Sequence, residues 1–107
     1  MMQARSMRRA LAVAAMLAAA NASAGDSAAG KVKAEACLGC HGAPGVSNAY
    51  PTYHVPKVSG QHADYIVAAL KGYASGERGH KTMQAQAATL SDQDMADIAA
   101  FFAGGAH

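Results

Sequence analysis

The chain has 107 residues, 51% of them apolar but only 6% aromatic, with no tryptophan and a formal charge of +2. That length predicts one domain. Three of the nine basic residues, Arg5, Arg8 and Arg9, sit in the first ten positions; without them six basic residues face seven acidic ones, a balance that gives no support to nucleic-acid binding.

Those arginines precede an uncharged run, Ala10 to Ala20, followed by Ala22 and Ala24 as the small residues of an A-x-A cleavage site. The run is shorter than the roughly 20 apolar residues of a membrane span. Residues 1–24 therefore read as a cleaved secretory signal peptide, and 25–107 as one exported domain with no membrane anchor after cleavage. At 83 residues such a domain buries little apolar area, so a disulfide, a metal or a large apolar cofactor is expected to complete it.

A first helix is predicted to start at Asp26 or Ser27 and run to Cys37, with Gly30 as its weak position and a site of close contact. From Gly42 to Ser59 glycines and prolines predict loop. A second helix is expected from Gly60 to Ala74, with Ile66, Leu70 and Tyr73 on one face and Gly76 as a left-handed stop. The stretch "ERGHKTMQAQAATL" begins as polar loop and reads as partly extended. The last helix opens at Ser91 with Asp94 three residues on, close to a capping box, and presents Met95, Ile98, Ala99 and Phe102 as its packing face.

The only two cysteines stand in "CLGCH", Cys37 to His41. In an exported chain this C-x-x-C-H run points to covalent attachment of a c-type haem: each thiol adds to one vinyl group, and His41 is placed to ligate the iron. Three rivals fit less well. A thioredoxin-like dithiol belongs at a helix start after a strand, structural zinc wants four paired ligands, and a disulfide across two residues is strained and closes too short a loop to stabilise much.

For the opposite face of the iron, the methionines left after cleavage are Met83 and Met95. Met95 lies on a packing face and reads as core filler. Met83, in a polar segment with no packing reason, is assigned as the sixth ligand. His54, His62 and His80 compete with it and read as surface residues, with a bis-His haem through His80 as the alternative. His/Met ligation favours ferrous iron and leaves no vacant coordination position, which suits electron transfer rather than catalysis.

With "GDSAAGKVKAEACLGCHG", "PKVSGQHADYIVAALKGYASGER" and "MQAQAATLSDQDMADIAAFFAGG" in place, the chain resembles the class I c-type cytochromes, in particular one half of the bacterial dihaem cytochromes c of the c-four type and their monohaem relatives. The resemblance implies an all-α fold of three main helices around one haem c, the first and last crossing at Gly30 against the face carrying Ile98 and Phe102. It implies Met83 as ligand, the Pro56 carbonyl as partner of His41 Nδ1, and Arg78 near a haem propionate. The single C-x-x-C-H and the less familiar loop "SNAYPTYHVPKV" depart from the dihaem pattern.

The expected function is that of a periplasmic single-electron carrier, not an enzyme, exchanging electrons with redox proteins such as a dehydrogenase, a respiratory complex or a terminal oxidase. An enzyme or gas sensor with an open sixth position, in the style of a peroxidase, and a cytochrome subunit of a dehydrogenase complex are the alternatives.

Overall fold

The computed structural model describes residues 25–42, 47 and 54–105; the expected signal peptide and residues 48–53 of the loop "SNAYPTYHVPKV" lie outside them. The described residues form five helices: α1 (Ser27–Lys33), α2 (Glu35–His41), α3 (Ala63–Ser75), α4 (Lys81–Ala87) and α5 (Asp92–Ala103). Their only β-structure is an isolated antiparallel bridge between Ser47 and His54. The fold class is all-α, with more helices than the three expected.

Asp26 caps α1, its carboxylate accepting from the N–H groups of Ala28 at 2.9 Å and Ala29 at 3.3 Å. Lys31 and Lys33 stand at the negative end of that helix dipole. The chain then turns at Ala34 instead of continuing to Cys37. Ala34 is fully buried, and its carbonyl accepts from both Cys37 N–H (2.9 Å) and Leu38 N–H (3.0 Å), an i+3 bond that tightens the turn. No glycine or proline marks this break. It lets α1 keep its small-residue stripe against α5 while α2 carries the cysteines in a new direction.

The α1–α5 contact is backbone against backbone. A Cβ on Gly30 would overlap the Asp97 carbonyl, and one on Gly25 would overlap that of Ala96. At Gly30 the crossing thus uses the stripe of Asp97 and Phe101, one position before the expected Ile98 and Phe102, whose side chains are taken up by the core. Ile98 and Phe102 are buried in the core with Ala34, Ile66, Leu70, Ala87, Met95, Ala99 and Phe101.

Asp97 clamps the crossing. It is only 3% exposed, and its carboxylate accepts from Asp26 N–H at 2.8 Å, Lys33 Nζ at 2.6 Å and Gln93 Nε2 at 2.8 Å. Lys33 also reaches Asp94 at 2.9 Å. A buried carboxylate is tolerated because its oxygens are supplied with donors.

Helix α3 starts three residues later than expected and ends at Gly76 with φ of 85°, the left-handed stop read from the sequence. Before it, Gly60 has a φ of 83° and donates its N–H to the Phe102 carbonyl at 2.9 Å, tying the loop to α5. The 81–87 stretch is helical, not partly extended: its weak amphipathic pattern is offset by burial of Ala87 and by a cap from His80. Helix α5 carries the complete Ser91/Asp94 capping box.

Gly30→Ala should cost about 3 kcal/mol, since the added Cβ can be accommodated only by separating two helices; a denaturation midpoint unchanged by this substitution would contradict the contact. The Asp97 carboxyl is lowered from 3.8 to about 2, first by the Asp26 N–H and then by Lys33 and Gln93. A carboxyl depressed in the folded state stabilises the fold above its unfolded value and loses that contribution as pH falls toward the folded one. Asp97→Asn should therefore melt below the parent protein at neutral pH, with the gap narrowing between about pH 4 and pH 2; a gap constant across that range would show that the ionised carboxylate is not what stabilises the crossing.

Candidate haem site

Helix α2 spaces Cys37, Cys40 and His41 at i, i+3 and i+4, so all three share one face. That face forms one side of a cavity of about 500 Å³, which also takes in Pro56, Val58, Ile66, Leu70 and Tyr73 and, from α4, Met83. The volume and mostly apolar walls suit a rigid apolar cofactor.

Both cysteines are free thiols, Cys37 half-buried and Cys40 exposed. Burial pushes the Cys37 thiol above its ordinary range. His41 Nδ1 lies 2.8 Å from the Pro56 carbonyl oxygen. A carbonyl can only accept, so Nδ1 carries the proton, and the tautomer that this bond selects has its lone pair on Nε2. A metal-binding imidazole held through its other nitrogen has this arrangement.

Met83 lies in helix α4, half-buried and packed against the core cluster, not in the polar loop that its neighbours suggested. Met95 is core, 3% exposed. Of the competing histidines, His54 and His80 line the cavity. His54 Nδ1 lies 2.9 Å from Ser47 Oγ, across the isolated bridge. His62 is exposed at the start of α3 and is not part of the wall. Among the described residues no group of three or more His, Cys, Asp or Glu side chains is placed to hold a metal ion.

Arg78 borders the same cavity in a setting the sequence did not disclose. Its guanidinium lies 4.7 Å from the centre of the Tyr73 ring and 6.0 Å from that of Tyr65, and Nη1 donates to the Tyr65 hydroxyl at 3.4 Å. Those contacts, the Tyr65 bond first, raise its already high pKa further. Gly72 makes room: a Cβ there would stand 3.1 Å from Arg78 Cγ. Tyr65 and Tyr73 are two helical turns apart on α3, a spacing that places them on adjoining faces. That spacing was the available signal.

A set of helices and one connecting segment that border an apolar cavity and line it with paired thiols, a tethered imidazole and a thioether defines a c-type cytochrome. Comparison with known proteins agrees. The family model of cytochrome c oxidase, cbb3-type, subunit III matches residues 23–102. The chain is 45% identical over 80 residues to cytochrome c4 of Pseudomonas aeruginosa, covering 75% of this chain and 38% of that protein. It is 43% identical over 82 residues to cytochrome c-554(548) of Halomonas halodenitrificans, covering 74% of this chain and 95% of the relative. A third relative, the thiosulfate dehydrogenase electron acceptor of Thiomonas intermedia, is 33% identical over 96 residues, covering 90% of this chain and 43% of its own length. The chain belongs to the class I c-type cytochromes and is related to cytochrome c4, although it spans well under half the length of the c4 proteins it matches. Its cofactor is covalently bound haem c.

Arg78→Ala should lower stability by about 0.5–1 kcal/mol through loss of the cation–π contact with Tyr73 and of alkyl packing over Gly72. A thermal melt compared with Arg78→Lys tests this, because lysine keeps the charge without the planar guanidinium; identical melts for all three proteins would show that the contact carries no energy.

Proposed function

We propose that this protein is a periplasmic one-electron carrier in which Cys37 and Cys40 form the two thioethers and His41 and Met83 are the axial ligands. The observation that carries the reading is the tethered His41 ring, which keeps its Nε2 lone pair in the same cavity that Met83 lines. The haem iron supplies a reversible ferric/ferrous couple.

The chain's own groups do the rest. The Pro56 carbonyl fixes the ring plane and tautomer of His41. The soft thioether of Met83 favours the ferrous state. Val58, Ile66 and Leu70 exclude water from the cavity. Arg78, held over the Tyr73 ring, offers its charge to a haem propionate. Cys40, His54 and Lys57 are exposed at the cavity's border, so electrons pass to and from partner proteins at that edge.

Residues 1–24 act as the cleaved export signal and 25–107 form the haem domain. Among the described residues no helix is long and apolar enough to cross a membrane. The partners are redox proteins of the periplasm: a dehydrogenase as donor, as the name of the Thiomonas relative suggests, and a respiratory complex or terminal oxidase as acceptor.

The test is an optical spectrum of protein matured in a periplasm that carries haem-attachment machinery. The expected result is a low-spin c-type spectrum with the weak iron–sulfur charge-transfer band. Met83→Ala should lose that band, lower the reduction potential and bind carbon monoxide readily. A parent protein that is high-spin and binds carbon monoxide without displacing a ligand would instead be a sensor or enzyme. Cys40→Ala should mature poorly and give the pyridine spectrum of a single thioether; full haem content with two thioethers would contradict its role as an anchor.

A further inference from the structure

His80 was read from the sequence as a surface residue that could compete for the iron. Its surroundings point to a different role. The residue is extended, with φ of −162° and ψ of 107°, and stands immediately before α4 as its N-cap. Its Nδ1 accepts from the Met83 N–H at 3.2 Å, and its ring meets the edge of Tyr73 at a centroid distance of 6.5 Å and an angle of 75°.

The chemistry of the first contact is decisive. A backbone N–H can only donate, so Nδ1 must accept. A neutral imidazole that accepts at Nδ1 carries its proton on Nε2, and that nitrogen then has no lone pair for a metal. While the cap is made, His80 is not a ligand.

We propose that His80 is the positioning residue for Met83: its imidazole closes the first turn of α4 and so sets where the thioether three residues on enters the cavity. The proposal rests on Met83 being the axial ligand. Helix α4 has seven residues, too few to persist on helix propensity alone. Its far end is held by burial of Ala87. Its near end is held by the His80 cap and by Gln84 Nε2 donating to the Arg78 carbonyl at 2.9 Å. Met83 is only half-buried, so packing does not secure it as it secures Ala87. The cap bonds the backbone of Met83 itself, and losing it frees the residue whose departure would open the iron.

The experiment compares haem-loaded parent protein with His80→Ala, His80→Asn, Ser91→Ala and Met83→Ala. It measures the iron–sulfur band and the affinity of the ferric protein for imidazole, which must displace the sixth ligand. His80→Ala should bind imidazole about five-fold more tightly, the size of effect that loss of one N-cap produces, and His80→Asn should return within about two-fold of the parent because asparagine caps well. Ser91→Ala, which breaks the capping box of α5, should lower the melting temperature and leave imidazole affinity unchanged. Unaltered affinity in His80→Ala, no recovery in His80→Asn, or an equal gain in Ser91→Ala would each overturn the positioning role. Met83→Ala separates the two levels: if it keeps the band, the ligand assignment fails and the proposal with it, whereas loss of the band beside an unmoved His80→Ala overturns the role of His80 alone.

Discussion

The close approach of α1 to α5 is the constraint on which the rest depends. Gly30 of α1 and Gly25 just before it let the backbone touch carbonyls of α5, and the buried Asp97 carboxylate then gathers donors from Asp26 and Lys33 across the contact and from Gln93 on its own helix. A carboxylate taken out of water is costly unless hydrogen-bond donors serve it, and the donors that serve Asp97 come from both sides of this crossing. Helix α2 follows α1 after one tight turn, and the cysteines and His41 inherit their position from it. The loop before α3 is bonded to the Phe102 carbonyl through Gly60, so the other side of the cavity is referenced to α5 as well.

The cavity follows from what the core lacks. Among the described residues, three of the nine buried hydrophobic residues are alanine and only two are aromatic. Side chains of that size leave a volume they cannot fill, and in a domain this small an unfilled volume would be a serious loss. A covalently held porphyrin supplies the missing apolar area. The cavity is thus a part of the core whose filling is the cofactor, bordered by groups able to anchor and ligate it.

Much of this was readable in the residues before any coordinates. C-x-x-C-H states its chemistry by spacing alone. The Ser91/Asp94 capping box, the stop at Gly76 and the close contact at Gly30 are local rules that the fold obeys, since each depends on a few consecutive residues or on the absence of a side chain. The misreadings share a cause. The turn at Ala34 has no breaker residue, the 81–87 helix has weak patterning, and the crossing stripe is displaced by one position, because each is decided by what packs against it.

The sequence by itself therefore determined the cofactor chemistry, the all-α class and the ends of the stronger helices, all of which rest on covalent spacing, backbone conformation and short-range hydrogen bonds. Only the tertiary structure decided that Met83 rides on a helix, that His80 bonds its backbone, that Arg78 lies on Tyr73 and that Asp97 clamps two helices seventy-one positions apart in its bond to Asp26. Such contacts join residues whose separation along the chain carries no periodic signal, and they exist only once the packed helices have brought those residues within reach of one another.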